Sequence, residues 1–383
     1  MGHLNFFIIL FLLYGIFFIF LSTACFPLVA TFLYRIKKGE IKNREIKNSN
    51  VVLRNVSILI PAHNEEQGIA GTLESILSSV KVAKSVFKDT TFSVCVATDN
   101  CTDNTLTIVK GFEVEVLELK TRHGKWKTLK ELVQKAEEAD WIVFADVGVR
   151  WQEDLLSNLL KTAVAEPDLV GIFPTYCKTY AGIAEKISWK LERSLKNLEN
   201  YAGGPVSSHG ATVAYRKDVL KEAFRLLSDQ DWLNDDVVLP MAVRCQNPQF
   251  RLKYCANLIV YDDTRQPPLK REFARRLRLV RGNVEWLRFF LRYVCAEGGN
   301  SVVLSLMMRR VIRLFWGYGI LVALLILFLL FCEWGIPPMY LVIITVVSTI
   351  LALQLRPLKG VFEAFIASLL VPYFLVSKEK GSW

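Results

Sequence analysis

The chain has 383 residues, enough for one large domain or two ordinary ones, and 52% of them are hydrophobic, which points away from disorder and towards a membrane protein. Its net charge of +10 gathers beside apolar runs, where anionic lipid head groups account for it, so nucleic acid binding is not expected. The eight cysteines show neither metal-site nor disulfide-framework spacing, which fits a reducing compartment.

From Leu4 to Tyr34 no charged residue occurs. That run exceeds the roughly 20 residues that cross a bilayer as helix, and it outruns the roughly 7 to 15 apolar residues of a signal peptide, so it is expected to span. Residues Lys37 to Arg54 form a polar linker rich in Lys and Arg. From Asn55 onwards short apolar runs alternate with amphipathic stretches, as in strands and helices interleaved around a largely parallel sheet. The expected strands are Val56–Ile60, Phe92–Ala97, Val114–Leu119 and Trp141–Ala145, and the expected helices are 67–79, 102–110 and 127–138. This pattern is that of a doubly wound nucleotide-binding half. Tyr176 to Tyr201 is amphipathic, with Ile183, Ile187, Leu191, Leu195 and Leu198 at helical spacing, and suits either a core face or a membrane surface.

Near the other end, Leu314–Cys332 and Trp334–Leu355 are uncharged and read as a transmembrane hairpin, while Ala364–Ser377 is short and carries Pro372, as an interfacial helix or a short span would. Arg35, Lys37, Lys38, Lys42, Arg44 and Lys47 follow the first span, and Arg309, Arg310 and Arg313 precede the second. The positive-inside bias therefore sets the central region in the cytoplasm. The expected organisation is a membrane helix and linker over 1–54, a cytosolic domain over 55–295, and a membrane hairpin with a short apolar segment over 296–383, in a bacterial-type cell membrane.

In an open α/β sheet, ligands bind beyond the carboxyl ends of the strands. The residues there are Pro61-Ala62-His63-Asn64-Glu65-Glu66, Asp99-Asn100-Cys101-Thr102-Asp103, Arg122-His123-Gly124-Lys125 and Asp146-Val147-Gly148. Singly, each is an ordinary turn or cap residue. Their joint order resembles the family 2 glycosyltransferases, inverting enzymes on the GT-A fold, over about residues 55 to 290. In VSILIPAHNEE, Pro61, Ala62 and Glu65 match the loop around the donor base. In ATDNCTDNT, Asp99 matches the uracil-contacting acid and Asp103 a helix-start residue. RHGKWKTL matches the glycine-lysine segment that sets Lys125 near donor phosphates. FADVGVRW matches the metal-binding segment, with Asp146 as an oxygen ligand for Mg²⁺ or Mn²⁺ and Gly148 in place of the second aspartate.

SSHGATVAYRKDVL resembles the acceptor-side turn and short strand, where His209 alone reads as a satisfied polar residue. In LNDDVVLP, Asp236 matches the general base, with Asp235 beside it. The segment from Glu272 to Asn283 aligns with the QxxRW helix: Arg275 takes the glutamine position, Arg278 keeps the arginine that pairs with diphosphate, and Leu279 replaces the tryptophan. Lipid contact is the plain alternative for this Arg-rich helix. The resemblance implies an α/β GT-A mixed sheet with membrane helices at both ends, and a metal-dependent sugar transfer from a nucleotide sugar, a UDP-sugar first, to a lipid-linked or glycan acceptor in exopolysaccharide or glycolipid synthesis. A catalytically inactive subunit of a polysaccharide assembly complex is the alternative, prompted by Gly148 and Leu279.

Overall fold

The computed structural model describes residues 2–41, 53–179, 183–227, 230–247, 250–262, 269–296, 301–335, 337, 339–340, 343 and 356–376. The chain divides into two compact units, one of residues 31–266 and one that joins 1–30 to 267–382.

The first unit is built on an eight-stranded mixed sheet. In chain order its strands are β1 (Asn55–Ala62), β2 (Thr91–Asp99), β3 (Glu115–Leu119), β4 (Trp141–Ala145), β5 (Val149–Trp151), β6 (Leu169–Lys178), β7 (Thr212–Arg216) and β8 (Arg251–Asp262). The order across the sheet is β3-β2-β1-β4-β7-β6-β8-β5. Strands β3, β2, β1 and β4 run parallel, as the alternating pattern predicts. Their apolar runs are continuous because both faces are covered: Val56, Ile58, Leu59 and Ile60 of β1 are all buried. Full burial of one such side chain contributes roughly 1.5–3 kcal/mol.

Beyond β4 the sheet turns antiparallel through β7 and β6, and β8 then pairs parallel to β6 and antiparallel to β5. The helices of this unit are α3 (Ile69–Val86), α4 (Thr105–Lys110), α5 (Lys125–Lys135), α6 (Leu155–Ala165), α7 (Ile183–Asn200), α8 (Lys217–Leu226) and α9 (Asp235–Gln246), after α1 (Gly2–Phe20) and α2 (Phe26–Ile41) nearer the start. Ile69, Leu73, Ile76, Val80 and Ala83 of α3 face the core at helical spacing. Strand order reverses between β1 and β4, so the crevice at a topological switch point lies at their carboxyl ends.

The second unit contains α1, joined to α2 by a π-helical stretch, Leu21–Cys25, together with α10 (Leu269–Ala296), α11 (Ser301–Leu314), α12 (Trp316–Glu333) and the short helices Arg356–Leu369 and Val371–Val376. Among the described residues, two helices are long and apolar enough to cross a membrane, Ile9–Ile36 and Trp316–Glu333. Gly319 lets them approach. The Tyr14 hydroxyl donates to the Gly319 carbonyl at 2.9 Å, and a Cβ on Gly319 would meet the Phe18 ring at 2.4 Å. Most of the expected second hairpin arm, Trp334–Leu355, lies outside the described residues. Ala364–Ser377 falls, apart from Ser377, within the two short helices, broken at Leu370 ahead of Pro372.

Candidate active site

The loops after β1, β2, β3 and β4 are joined in succession through side chains. Asn64 and Asn100 each take a positive φ, 54° and 50°, a conformation that Asn tolerates better than most residues. The Asn64 side-chain oxygen accepts from the Thr102 N–H at 2.8 Å, and the Asp103 carboxylate accepts from the Glu66 N–H at 3.1 Å and the Thr105 N–H at 3.0 Å. Asp103 thus caps α4 and ties it to the β1 loop. His63 Nδ1 donates to the Asp99 carbonyl at 2.6 Å.

Asp99, buried at the end of β2, accepts from the His123 N–H at 2.7 Å, from the Gly124 N–H at 2.8 Å and from Arg122. Its carboxylate therefore holds the turn that leads into α5. Gly124, with φ 81°, makes that turn, and α5 is anchored below by buried Trp126, Leu129, Leu132 and Val133. Trp126 packs against Phe224 with ring centroids 4.9 Å apart. Lys125 is consequently the first helical residue, and its ammonium is carried to the end of β4.

There Lys125 Nζ lies 2.8 Å from Asp146 Oδ1, 3.1 Å from Oδ2 and 3.2 Å from Asp235 Oδ2. Burial alone would depress this ammonium, but Asp146 and Asp235 raise it above the ordinary lysine value. Burial raises the Asp146 carboxyl, with Asp235 adding to it and Lys125 opposing. Glu65 is raised by desolvation and then by Asp146 and Asp103, so it belongs to the same field.

Asp235 and Asp236 form the first turn of α9, where acids suit the helix dipole, and Asn234 behind them is buried. Asp235 faces Lys125, whereas the Asp236 backbone carbonyl accepts from the Ser208 N–H at 2.8 Å, and a Cβ on Gly210 would sit 3.4 Å from the Asp236 Cβ. The Ser207–Gly210 turn is held from beneath by buried Lys196, which donates to the Ser207 carbonyl at 2.6 Å and to its hydroxyl at 2.8 Å. The Asp146 N–H donates to the Ala211 carbonyl at 2.9 Å, fixing that turn against the end of β4.

Gly148 has φ 94°, a conformation that an aspartate rarely adopts, and its N–H donates to Thr72 Oγ1 at 2.9 Å. That backbone accounts for glycine where a second acid was expected. Among the described residues no set of three His, Cys, Asp or Glu side chains converges as a metal site. Asp146 and Asp235 do converge on one point, and two carboxylates with substrate phosphates are a common Mg²⁺ arrangement, so these residues fit a divalent cation that enters with its ligand.

The site thus brings together Glu65, Lys125, Asp146, Asp235 and Asp236, with Pro61 and Ala62 at the end of β1 and Asp99 behind the Lys125 turn. Arg275 and Arg278 are exposed on α10, which belongs to the other unit, as is Leu279. Sequence reasoning missed the Asp235–Lys125 pairing and the clamp of Arg122 on Asp99. It also missed Asp262, whose charge reaches Asp146 and which is in register with Val149, the residue after Gly148.

Comparison with known proteins bears on this geometry. Residues 57–224 match the family model described as glycosyl transferase family 2. None of the curated proteins matches the chain. A mannosyltransferase from Pyrobaculum calidifontis, solved in complex with GDP-Man and Mn²⁺, is 16% identical with a TM-score of 0.64, over 92% of this chain and 96% of that one. A glucosyl-3-phosphoglycerate synthase from Mycobacterium tuberculosis, solved with Mn²⁺, UDP and phosphoglyceric acid, is 17% identical with a TM-score of 0.41, over 60% and 78%. Over residues 57–224 the chain is thus similar to glycosyl transferase family 2, and its mixed sheet shares the GT-A fold of the mannosyltransferase.

Proposed function

We propose that the chain is a membrane-anchored glycosyltransferase that moves a sugar from a nucleoside diphosphate donor to an acceptor at the membrane, with inversion. One observation supports this reading above the others: the Lys125 ammonium is set between Asp146 and Asp235 at the carboxyl ends of parallel strands, where a donor diphosphate would lie. A cation prepared there offsets the charge that grows on the leaving diphosphate. A divalent cation held by Asp146 and Asp235 would add Lewis-acid stabilisation of that same charge. Mn²⁺ is present in the solved complex of the Pyrobaculum calidifontis mannosyltransferase.

Lys125 then turns from its carboxylates to the donor phosphates. Asp236, next to Asp235 in α9's first turn and against the Ser207–Gly210 turn, takes the proton from the acceptor hydroxyl as the hydroxyl oxygen attacks the anomeric carbon. Asp99 acts through the loop it holds, keeping Gly124 and so Lys125 in place. Uridine and guanosine diphosphate sugars are both candidate donors. Ile9–Ile36 and Trp316–Glu333 are the membrane anchors in this reading, with a lipid-linked sugar or growing glycan as acceptor and the sheet unit in the cytoplasm.

The test is nucleoside diphosphate release by the detergent-purified chain, with Mn²⁺ or Mg²⁺ and a panel of nucleotide sugars, with and without membrane lipid. Release from one donor, stimulated by lipid and lost in Asp236→Asn, is expected. No release from any donor would refute the reading.

A further inference from the structure

Beside the carboxylate site, the end of β6, the first part of β8, the helix α7 and the Ser207–Gly210 turn bring four rings together. Tyr176 and Trp189 have centroids 5.1 Å apart, Trp189 and His209 5.2 Å, and His209 and Tyr254 5.5 Å. The Tyr254 ring is buried and forms the base, with its hydroxyl accepting from Thr175 Oγ1 at 2.9 Å, while Tyr176, Trp189 and His209 are only half-buried.

Two links join this cluster to the site. The Tyr176 hydroxyl donates to Asp262, which is in register with Val149 immediately after the Asp146–Gly148 segment. His209 is followed by Gly210, which abuts Asp236. The rings therefore adjoin both the donor carboxylate segment and the acid assigned as base. The edge of this cluster carries a histidine and a tyrosine hydroxyl, the latter held by the buried Asp262 carboxylate. Partly exposed aromatic side chains edged by a tyrosine hydroxyl and an imidazole are a combination that fits a pyranose, with apolar C–H faces and hydroxyls around its rim.

We infer that Trp189, Tyr176 and His209 form an acceptor subsite for a pyranose ring, so that the acceptor carries a sugar and is not a sugar-free lipid. This inference deepens the transfer reading above and rests on it for the word acceptor. Trp189 provides the broad face, and the Tyr176 hydroxyl, oriented by Asp262, and His209 meet ring hydroxyls.

The full chain, in a detergent without a sugar head group and with UDP and Mn²⁺ present, is titrated with methyl β-D-glucopyranoside, methyl β-D-galactopyranoside, methyl α-D-mannopyranoside and cellobiose, and with undecaprenyl phosphate as the sugar-free probe. Saturation-transfer NMR is the readout. At least one pyranoside should give ring-proton signals that fall about fivefold or more in Trp189→Ala, persist in Trp189→Phe, and survive addition of undecaprenyl phosphate; the contact of a ring face with apolar surface is of the size such a truncation removes. Trp189→Phe keeps the test valid should the alanine variant fold poorly, because its ring preserves both packing and stacking. The absence of a signal from every pyranoside, an undiminished signal in folded Trp189→Ala, or displacement of the signal by undecaprenyl phosphate would overturn the subsite. Nucleoside diphosphate release by the wild-type chain is measured alongside. Its absence speaks against the transfer reading, whereas release without pyranoside binding removes the subsite alone.

Discussion

Replacing Lys125 with methionine should move two properties in opposite directions. In the resting site the ammonium is 2.8 Å from Asp146 and 3.2 Å from Asp235, and it is 22% exposed. Two unit charges 4 Å apart interact by about 1 kcal/mol in water and about 4 kcal/mol in a partly desolvated site. A divalent cation between the same carboxylates would meet repulsion from the ammonium of at least the lower figure. Lys125→Met should therefore tighten Mn²⁺ binding to the donor-free protein about tenfold or more, equivalent to about 1.4 kcal/mol. Turnover should fall about 10²–10³-fold, because a preorganised charge aimed at the leaving group is lost. Electron paramagnetic resonance of free Mn²⁺ during titration reads the first property, and nucleoside diphosphate release reads the second. Unchanged or weaker Mn²⁺ binding in the variant would refute the idea that Lys125 and the cation compete for the same two carboxylates.

Asp236→Asn should lower transfer by about 10²–10⁴-fold with donor affinity retained, since it removes a proton acceptor and little volume; nucleotide binding measured by calorimetry separates the two effects. Gly204→Ala should destabilise the sheet unit by about 3 kcal/mol or more, because at φ 108° the new Cβ would meet the Leu252 carbonyl oxygen at 1.9 Å, and a thermal unfolding midpoint within a degree of wild type would contradict this. Burial pushes the Cys95 and Cys255 thiols up to about 11. At pH 8 roughly one in a thousand of either is thiolate, so both should resist iodoacetamide in the native protein and react once it is unfolded, as peptide mass mapping would show.

The parallel half of the sheet is legible in the sequence because β1, β2 and β4 are covered on both faces and so appear as unbroken apolar runs ending on polar residues. Trp141–Ala145 runs as the apolar pattern predicts, and the expected helices differ by up to three residues at their ends except that α3 continues seven residues beyond the expected 67–79. β5 is three residues long and β8 mixes exposed with buried positions, so neither carries a period that stands out. At the site, Asp146, Lys125 and Asp235 are visible as residues with suitable chemistry. Their meeting is not, because Lys125 and Asp235 are 110 positions apart in sequence and only the antiparallel β7 and the turn before it bring α9 to the end of β4. Gly148 shows the reverse case. Its letter alone suggests a lost ligand, while its φ of 94° shows a turn that glycine makes possible. The Trp189 cluster draws on α7, β6, β8 and the Ser207–Gly210 turn, and no local pattern announces it.

The central claim is sugar transfer at the Lys125–Asp146–Asp235 crevice with Asp236 as base. Its most direct measurement is the movement of radiolabelled sugar from UDP-glucose, UDP-galactose, UDP-N-acetylglucosamine or GDP-mannose into membrane lipid or glycan by the purified chain, with Asp236→Asn in parallel. Label should pass from one donor into a membrane-extractable product with wild type and drop to background with the variant. Equal incorporation by both, or none by either with every donor, would contradict the account.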